Sequence, residues 1–494
     1  MSTVMVCIVL GFAAIACTGF VGRRRGGLDL AEWAVGGRRL GTAATWLLQA
    51  GESFTTFTFL GLVALSFSAG ASSLYVLVYT PLAYLGAYFF APKMWRKAAG
   101  RGYLTQADFF EDHYRSKFFG WLVAVLGVVF LLPYLQLQIT GLGQIVQFAA
   151  GDGASAKWSM VIASALVVAF VMWAGLRGVA AASSFKDAAM LVTLLVLVIA
   201  LPVHFAGGID GVFRKVQARM PDALYVHGGG EHDTTWFLSS VAMSVIGIVF
   251  LTAPQNWSPV LSARSPKVLR RNNMILPLYS LCLVMPVVLG FVAMTVLNPG
   301  SNGNAALFSL AAQALPDWVV GLIAIGGVAA AMVPSAGILV ALCPLVARNL
   351  IRVRSERGQY WASQLTVLAL AGLALLLALV RPDSLADLLL LTFSGLGQLA
   401  PATAAALVCR RGLLGTAGAL SGVIAGEVMV VWLTFASTID VGNISVGLIG
   451  LAVNIVVALV VETASRAVGR GGARLQSASA PIAGNELVAK TEGM

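Results

Sequence analysis

Charge is scarce in this chain: 11% of its 494 residues are Asp, Glu, Lys or Arg, against 59% hydrophobic residues and a mean hydropathy of +0.87. A water-soluble globule needs far more polar surface, so the composition excludes one and calls for lipid around the chain. Cysteine and histidine are sparse too. Cys7, Cys17, Cys282, Cys343 and Cys409 show no framework spacing and no CxxC pair, so neither disulfides nor zinc or iron–sulfur chemistry is expected. His113, His204, His227 and His232 fall in or near loops, with no nucleophile–base pair in sight; no enzymatic role and no cofactor is expected. The net charge of +11 sits in short clusters between apolar runs rather than on one basic domain, which argues against a nucleic-acid partner.

What the chain has is long apolar runs. A bilayer core of about 30 Å takes roughly 20 helical residues per crossing, and thirteen runs meet that length. They lie near 2–21, 41–67, 72–92, 118–149, 158–176, 187–206, 236–254, 273–298, 317–346, 360–380, 384–409, 413–436 and 443–464. Runs this long, with no period-two alternation, are helices rather than barrel strands, so the fold class is an all-α polytopic membrane protein. The first run lacks a basic leader and is followed by Arg23, Arg24 and Arg25, which reads as an anchor rather than a signal peptide.

Positive charge alternates between successive loops. One side collects Arg23–Arg25, Arg38 and Arg39, then Lys93, Arg96, Lys97, Arg101, Arg115 and Lys117, then Arg177 and Lys186. The same side continues with Arg264, Lys267, Arg270 and Arg271, then Arg348, Arg352, Arg354 and Arg357, then Arg410 and Arg411. The other side offers little beyond Lys157, Arg214, Lys215, Arg219 and Arg381. The positive-inside rule then places the amino terminus outside and the carboxyl terminus in the cytoplasm. The Gly/Ala/Ser-rich tail at 466–494 is expected to be disordered.

Polar groups at membrane depth are costly and mark function. The second run carries Gln49-Ala50-Gly51-Glu52-Ser53-Phe54-Thr55-Thr56-Phe57-Thr58, a carboxylate, an amide and hydroxyls beside a glycine that can unwind the helix. Glu427 lies alone on its helix and reads as an interhelical bond. The fourth run has Pro133-Tyr134-Leu135-Gln136-Leu137-Gln138, where two amides two residues apart cannot share a face. The seventh ends in Ala253-Pro254-Gln255-Asn256-Trp257-Ser258-Pro259, a broken exit into a loop, and the eleventh holds Ser394-Gly395-Leu396-Gly397-Gln398. For each amide, a helix–helix bond is as good a reading as solute contact.

Over roughly residues 30–465 these segments resemble the sodium:solute symporter family, and within it the bacterial monocarboxylate permease branch. The resemblance is carried by Ala31-Glu32-Trp33-Ala34-Val35-Gly36-Gly37-Arg38-Arg39-Leu40, by Tyr103 to Phe110, by Pro133 to Gln138 and by Gly175-Leu176-Arg177-Gly178-Val179 followed by Lys186-Asp187. More specific to the branch is Val260 to Asn273 running into Leu276-Pro277-Leu278-Tyr279-Ser280. The resemblance implies a multi-pass protein of the plasma membrane, the inner membrane of a bacterium, with a LeuT-like 5+5 inverted-repeat core. Residues 1–40 would form an anchor helix and loop, 41–206 the first repeat, 207–235 an extracellular loop, 236–409 the second repeat and 410–465 two peripheral helices. Solute and coupling ion would meet at the midplane beside interrupted second and seventh spans.

On that footing the solute-binding candidates are Glu52, Ser53, Thr55, Thr56, Tyr134, Gln138, Gln255, Trp257 and Gln398, and the ion-coupling candidates Gly51, Glu52, Phe54 and Ser335. The family holds sodium with backbone carbonyls of the first core helix and two adjacent hydroxyls on the eighth. Here those hydroxyl positions fall at Val333-Pro334 or, in another register, at Leu339-Val340, with no oxygen side chain unless Ser335 or shifted backbone serves. Glu52 offers a proton carrier instead, so proton coupling is favoured over sodium, with uncoupled transport also open. Gln255 stands where the branch often has histidine. The expectation is alternating-access symport of a small organic solute, best a short monocarboxylate such as pyruvate, lactate or propionate, by a monomer. A sodium-coupled symporter of an amino acid or vitamin, or a transporter-like solute sensor, remains the alternative. No lysine or arginine is expected deep in a span.

Overall fold

The computed structural model describes residues 3–22, 30–150, 156–227, 230–298, 300–380, 385–408, 413–437, 439 and 441–478. Arg23–Arg25, Arg381, Cys409, Arg410, Arg411 and the tail from 479 onward lie outside these residues. Among those described, eleven helical segments are long and apolar enough to cross a membrane, where the sequence shows thirteen runs. The difference lies in two segments that each join two runs: Phe57–Ala99, 43 residues, and Lys157–Ala206, 50 residues. At 1.5 Å per residue they measure about 65 and 75 Å, roughly twice the hydrocarbon thickness. The first turns sharply at Gly70 (φ 55°). The second kinks at Gly175 (φ 59°), where a Cβ would collide with the Trp33 indole, so glycine is needed there on both counts.

Burial sorts the helices. In the segment Asp317–Leu350, 94% of the most apolar stretch is buried, against 28% in Thr3–Phe20 and 33% in Val446–Val468. The former is the axis of the molecule. The latter two lie at its rim, with residues such as Leu10, Val456 and Val460 facing outward as lipid-facing surface. Thr416–Phe435 packs on Val446–Ala478 through Gly418, Gly422 and Gly426, each against backbone or small side chains at Ala458, Asn454 and Gly450. The last helix continues to Ala478, so the chain is helical for a full three turns beyond the point where the sequence suggests disorder.

Two helices are interrupted. One runs Thr42–Ser53, leaves helical geometry at Phe54 (φ −106°, ψ 96°) and resumes through a wide turn, Phe57–Gly61, into Leu62–Ala69. The other runs Thr234–Val249, breaks over Phe250–Ala253 and resumes as Pro254–Ser262, with proline at its first position. The segment around Trp257 is therefore buried helix rather than an exit into a loop. The start of the first broken helix is pinned to the end of the second: Leu40 N–H donates to Ser262 O (3.0 Å) and Arg264 N–H to Leu40 O (2.9 Å). The end of the second broken helix and the start of the first are thus joined at one end of the molecule. Arg38, Trp95, Arg96, Lys97 and Arg264 gather at this end, where Trp95 Nε1 donates to Ala263 O (2.7 Å) and Arg38 to Ala98 O (3.3 Å).

Candidate functional site: two broken helices around a cavity

Breaking a helix inside a membrane frees backbone groups that water cannot satisfy, so each needs a named partner. At the first break, Phe54 N–H still reaches Ala50 O (3.2 Å), and Phe59 N–H reaches Thr55 O (3.0 Å). Thr58 Oγ1 donates to Ser53 O (2.9 Å), Phe57 N–H donates to Thr55 Oγ1 (3.2 Å), and Thr56 N–H donates to Gln138 Oε1 (3.2 Å). The cluster of hydroxyls at 53–58 is thus largely the repair kit of the break.

Two of the carbonyls freed by the break, Gly51 O and Phe54 O, accept from the ammonium of Lys186 at 3.0 and 2.7 Å. Lys186 is a correction to the sequence reading on two counts. It lies inside the helix Ala156–Ala206 with its side chain 0% exposed rather than in a basic loop, and it is a lysine deep in a span. Its charge is balanced by Asp187 Oδ1 at 2.8 Å, beside the Tyr279 hydroxyl. Gly51 is required for the approach, because a Cβ there would press on Ser183 Oγ and reach Lys186 Nζ. A hard cation such as sodium wants several free oxygen ligands. Here the two carbonyls are already taken, and Ser183 Oγ donates to its own helix at Val179 O (2.9 Å). The central helix presents Gly337 toward Glu52, while Ser335, two residues away and so about 200° around the helix, donates to Ala331 O (2.7 Å). This donor set does not fit a sodium ion.

On the other side of the break lies a cavity of about 90 Å³, enough for several waters or a small solute. Its polar lining comes from Gln49, Glu52, Ser53, Thr55 and Thr58 of the first broken helix, Tyr79, Thr80 and Tyr84 of the helix Tyr75–Ala99, Tyr134, and Gln255, Asn256 and Asn273. Ser53 and Tyr84 share a hydrogen bond, and Gln49 is held by Asn272 Nδ2 (3.1 Å). Glu52 Oε2 and Gln255 Oε1 are buried with no hydrogen-bond partner among the described residues. Such atoms are costly to leave dry and are the ones a bound solute or water would satisfy. Tyr75, Tyr79, Trp236 and Phe393 close the end opposite the basic cluster, with ring centroids 5.1 to 6.4 Å apart.

The second break is repaired without charge. Leu251, held at φ 52°, offers its carbonyl to Trp257 Nε1 (2.6 Å) and Gln106 Nε2 (3.3 Å), and Thr252 O accepts from Gln106 Nε2 at 2.8 Å. Gln106 opens the short helix Gln106–His113, capped by Thr105 and Asp108. Asp108 also binds Arg348 Nε (3.0 Å) and Asn349 Nδ2 (2.9 Å) at the end of the central helix.

Of the residues expected at the site, Glu52, Ser53, Thr55, Tyr134 and Gln255 line the cavity. Thr56 and Gln138 meet each other behind it, and Gly51 and Phe54 serve Lys186 through their carbonyls. Trp257, 1% exposed, faces the second break, and Gln398 is spent at the rim on Ser394 O (3.1 Å) and Gly447 O (2.9 Å). Ser335 points away. Both Glu427 oxygens lack a hydrogen-bond partner among the described residues, so the interhelical bond expected of it is not formed. Sequence reasoning missed Tyr79, Tyr84, Asn273 and above all Lys186. The last had a signal: no proline or glycine breaks the chain between Gly178 and Pro202, so Lys186 falls within a continuous helix rather than in a loop.

Among the described residues, eleven apolar helical segments, with two broken helices beside a small polar cavity, define a multi-pass membrane protein built as a transporter. The chain belongs to the sodium:solute symporter family, whose model matches residues 33–426. It is 32% identical over 479 residues to the uncharacterized symporter YhjB of Bacillus subtilis, covering 93% of this chain and 97% of that one. It is 27% identical over 489 residues to a monocarboxylate transport permease protein of Rhizobium johnstonii, covering 93% and 96%. Its fold matches a substrate-bound outward-open structure of a Na+-coupled sialic acid symporter with a TM-score of 0.79 at 16% identity, covering 94% of this chain and 98% of that one.

Proposed function

We propose that this protein carries a short monocarboxylate, of the size of pyruvate, lactate or propionate, together with a proton across the plasma membrane by alternating access. The observation that carries the reading is the unpaired Glu52 carboxylate oxygen in a small cavity whose lining holds no lysine or arginine. A carboxylate solute is repelled from an ionised Glu52 and accommodated by a protonated one, which can donate a hydrogen bond to it. Binding of solute and proton are then linked, and that linkage is what symport requires. Donors for the solute come from the Tyr84 and Tyr134 hydroxyls and the Gln255, Asn256 and Asn273 amides. The relative described as a monocarboxylate permease supports the solute class.

In this reading the two joined segments each cross twice, giving thirteen crossings with the amino terminus outside, the basic end cytoplasmic, and two inverted five-helix repeats at 41–206 and 236–409. The presence of one broken helix in each of these two stretches supports that arrangement. The test is uptake of labelled pyruvate into proteoliposomes under a proton or a sodium gradient imposed separately. The proton gradient alone is expected to drive uptake, and Glu52→Gln is expected to abolish its pH dependence while the protein still folds and inserts. Unchanged pH dependence in that variant would remove the proton role from Glu52, and no uptake under either gradient would discard the monocarboxylate.

A further inference from the structure

We propose that Lys186 is a built-in cation, standing at the first break where a sodium ion would have to bind, so that this member of a sodium symporter family binds no sodium there. Three oxygens lie within 3.0 Å of its nitrogen: Gly51 O and Phe54 O accept hydrogen bonds from it, and Asp187 Oδ1, at 2.8 Å, makes an ion pair with it. The side chain is fully buried, which fixes the charge in place rather than leaving it to exchange with water. Every group facing it fits that role. Asp187 neutralises it, Glu52 lies within reach of its field, Ser183 and Tyr279 are uncharged hydroxyls, and the central helix presents Gly337 to Glu52. A cation is thus permanently present where the helix is broken, tethered to the helix Ala156–Ala206 and unable to be released with the solute.

Tethering has a consequence for coupling. A sodium ion held between two helices joins them only while it is bound, whereas Lys186, carried by the helix Ala156–Ala206, can join the first broken helix to it with no ion from solution. The driving ion must then act elsewhere, which is consistent with Glu52 on the cavity side of the break. The inference rests on the carrier reading above for its meaning, but its first test involves no transport.

The purified full-length protein is heated in sodium chloride, potassium chloride or choline chloride at equal ionic strength. The unfolding midpoints are expected to coincide, and a saturable upward shift specific to sodium overturns the proposal. The second test removes the tether. Lys186→Ala vacates the space, and its uptake is expected to fall by more than about tenfold, since a buried ion pair is broken. Methylammonium or sodium should then raise both its midpoint and its uptake, with no such effect on the parent protein. Uptake by Lys186→Ala equal to the parent in choline overturns the proposal. If the variant does not fold, the sodium comparison on the parent protein decides alone. Sodium-blind stability with no uptake of any monocarboxylate would leave Lys186 in place and sink only the choice of solute.

Discussion

The two broken helices solve one physical problem in different ways. Each interruption leaves backbone carbonyls with no partner in a medium that supplies no water. At the second break they are met by neutral donors, the Gln106 amide and the Trp257 indole, reaching in from one end of the molecule. At the first they are met by an ammonium with its own counter-ion, delivered from a neighbouring span. A neutral repair holds shape and is indifferent to charge nearby. A charged repair sets the field in which Glu52 sits. The cavity lies between the two, so one wall is fixed by hydrogen bonds alone and the other by an ion pair.

The sharpest way to break the comparison is at the charged side. Lys186→Met keeps the length and apolar stem of the side chain but strands Asp187 and two carbonyls, and breaking a buried pair by removing one partner costs about 3–5 kcal/mol. Thermal unfolding should show a large loss of stability. The double variant Lys186→Met/Asp187→Asn removes both charges and should recover part of that loss, because the stranded carboxylate is the larger penalty. A double variant no better than the single would mean the carbonyls, not the charge, dominate.

The neutral side should respond less. Gln106→Ala leaves Thr252 O without its donor and Leu251 O with only the indole of Trp257, a cost of about 1–3 kcal/mol for a buried acceptor left unmade. No charge is exposed, so the salt dependence of stability should match the parent protein. A loss as large as that of Lys186→Met would erase the distinction between the two repairs. Gln138→Leu tests the same point at the first break. It removes only the amide acceptor of Thr56 N–H and should cost about as much as Gln106→Ala, well short of the lysine.

What the sequence shows and hides follows from the same physics. The class, the family and both breaks are legible, because Gly51, Pro254 and the hydroxyl cluster are local signals for interrupted helix. The division of labour among the polar residues is not. Gln138, Gln255 and Gln398 look alike as amides in apolar runs, yet one repairs a break, one lines the cavity and one joins the rim helices. Only packing between distant segments separates them. From the sequence Lys186 reads as a loop charge because a lysine after Gly175 and Arg177 extends a basic cluster, and periodicity alone does not tell a kinked helix from two helices and a turn. Trp257 was drawn to the cavity by its neighbour Gln255, although two residues along a helix lie on opposite faces.

The smallest effect belongs to the contact nearest the solute. Ser53→Ala removes a hydroxyl that bonds Tyr84 and its own helix at Gln49 O (3.2 Å), while Ser53 O remains held by Thr58. The backbone repair is untouched and Tyr84 gains access to cavity water, so the cost in stability should be about 1 kcal/mol or less. The solute affinity is where this variant should register. With its partner gone, the Tyr84 hydroxyl is free to turn toward the solute or away from it, and KM should change by more than kcat. A change confined to kcat would place the Ser53–Tyr84 pair in the motion of the first broken helix rather than in solute binding.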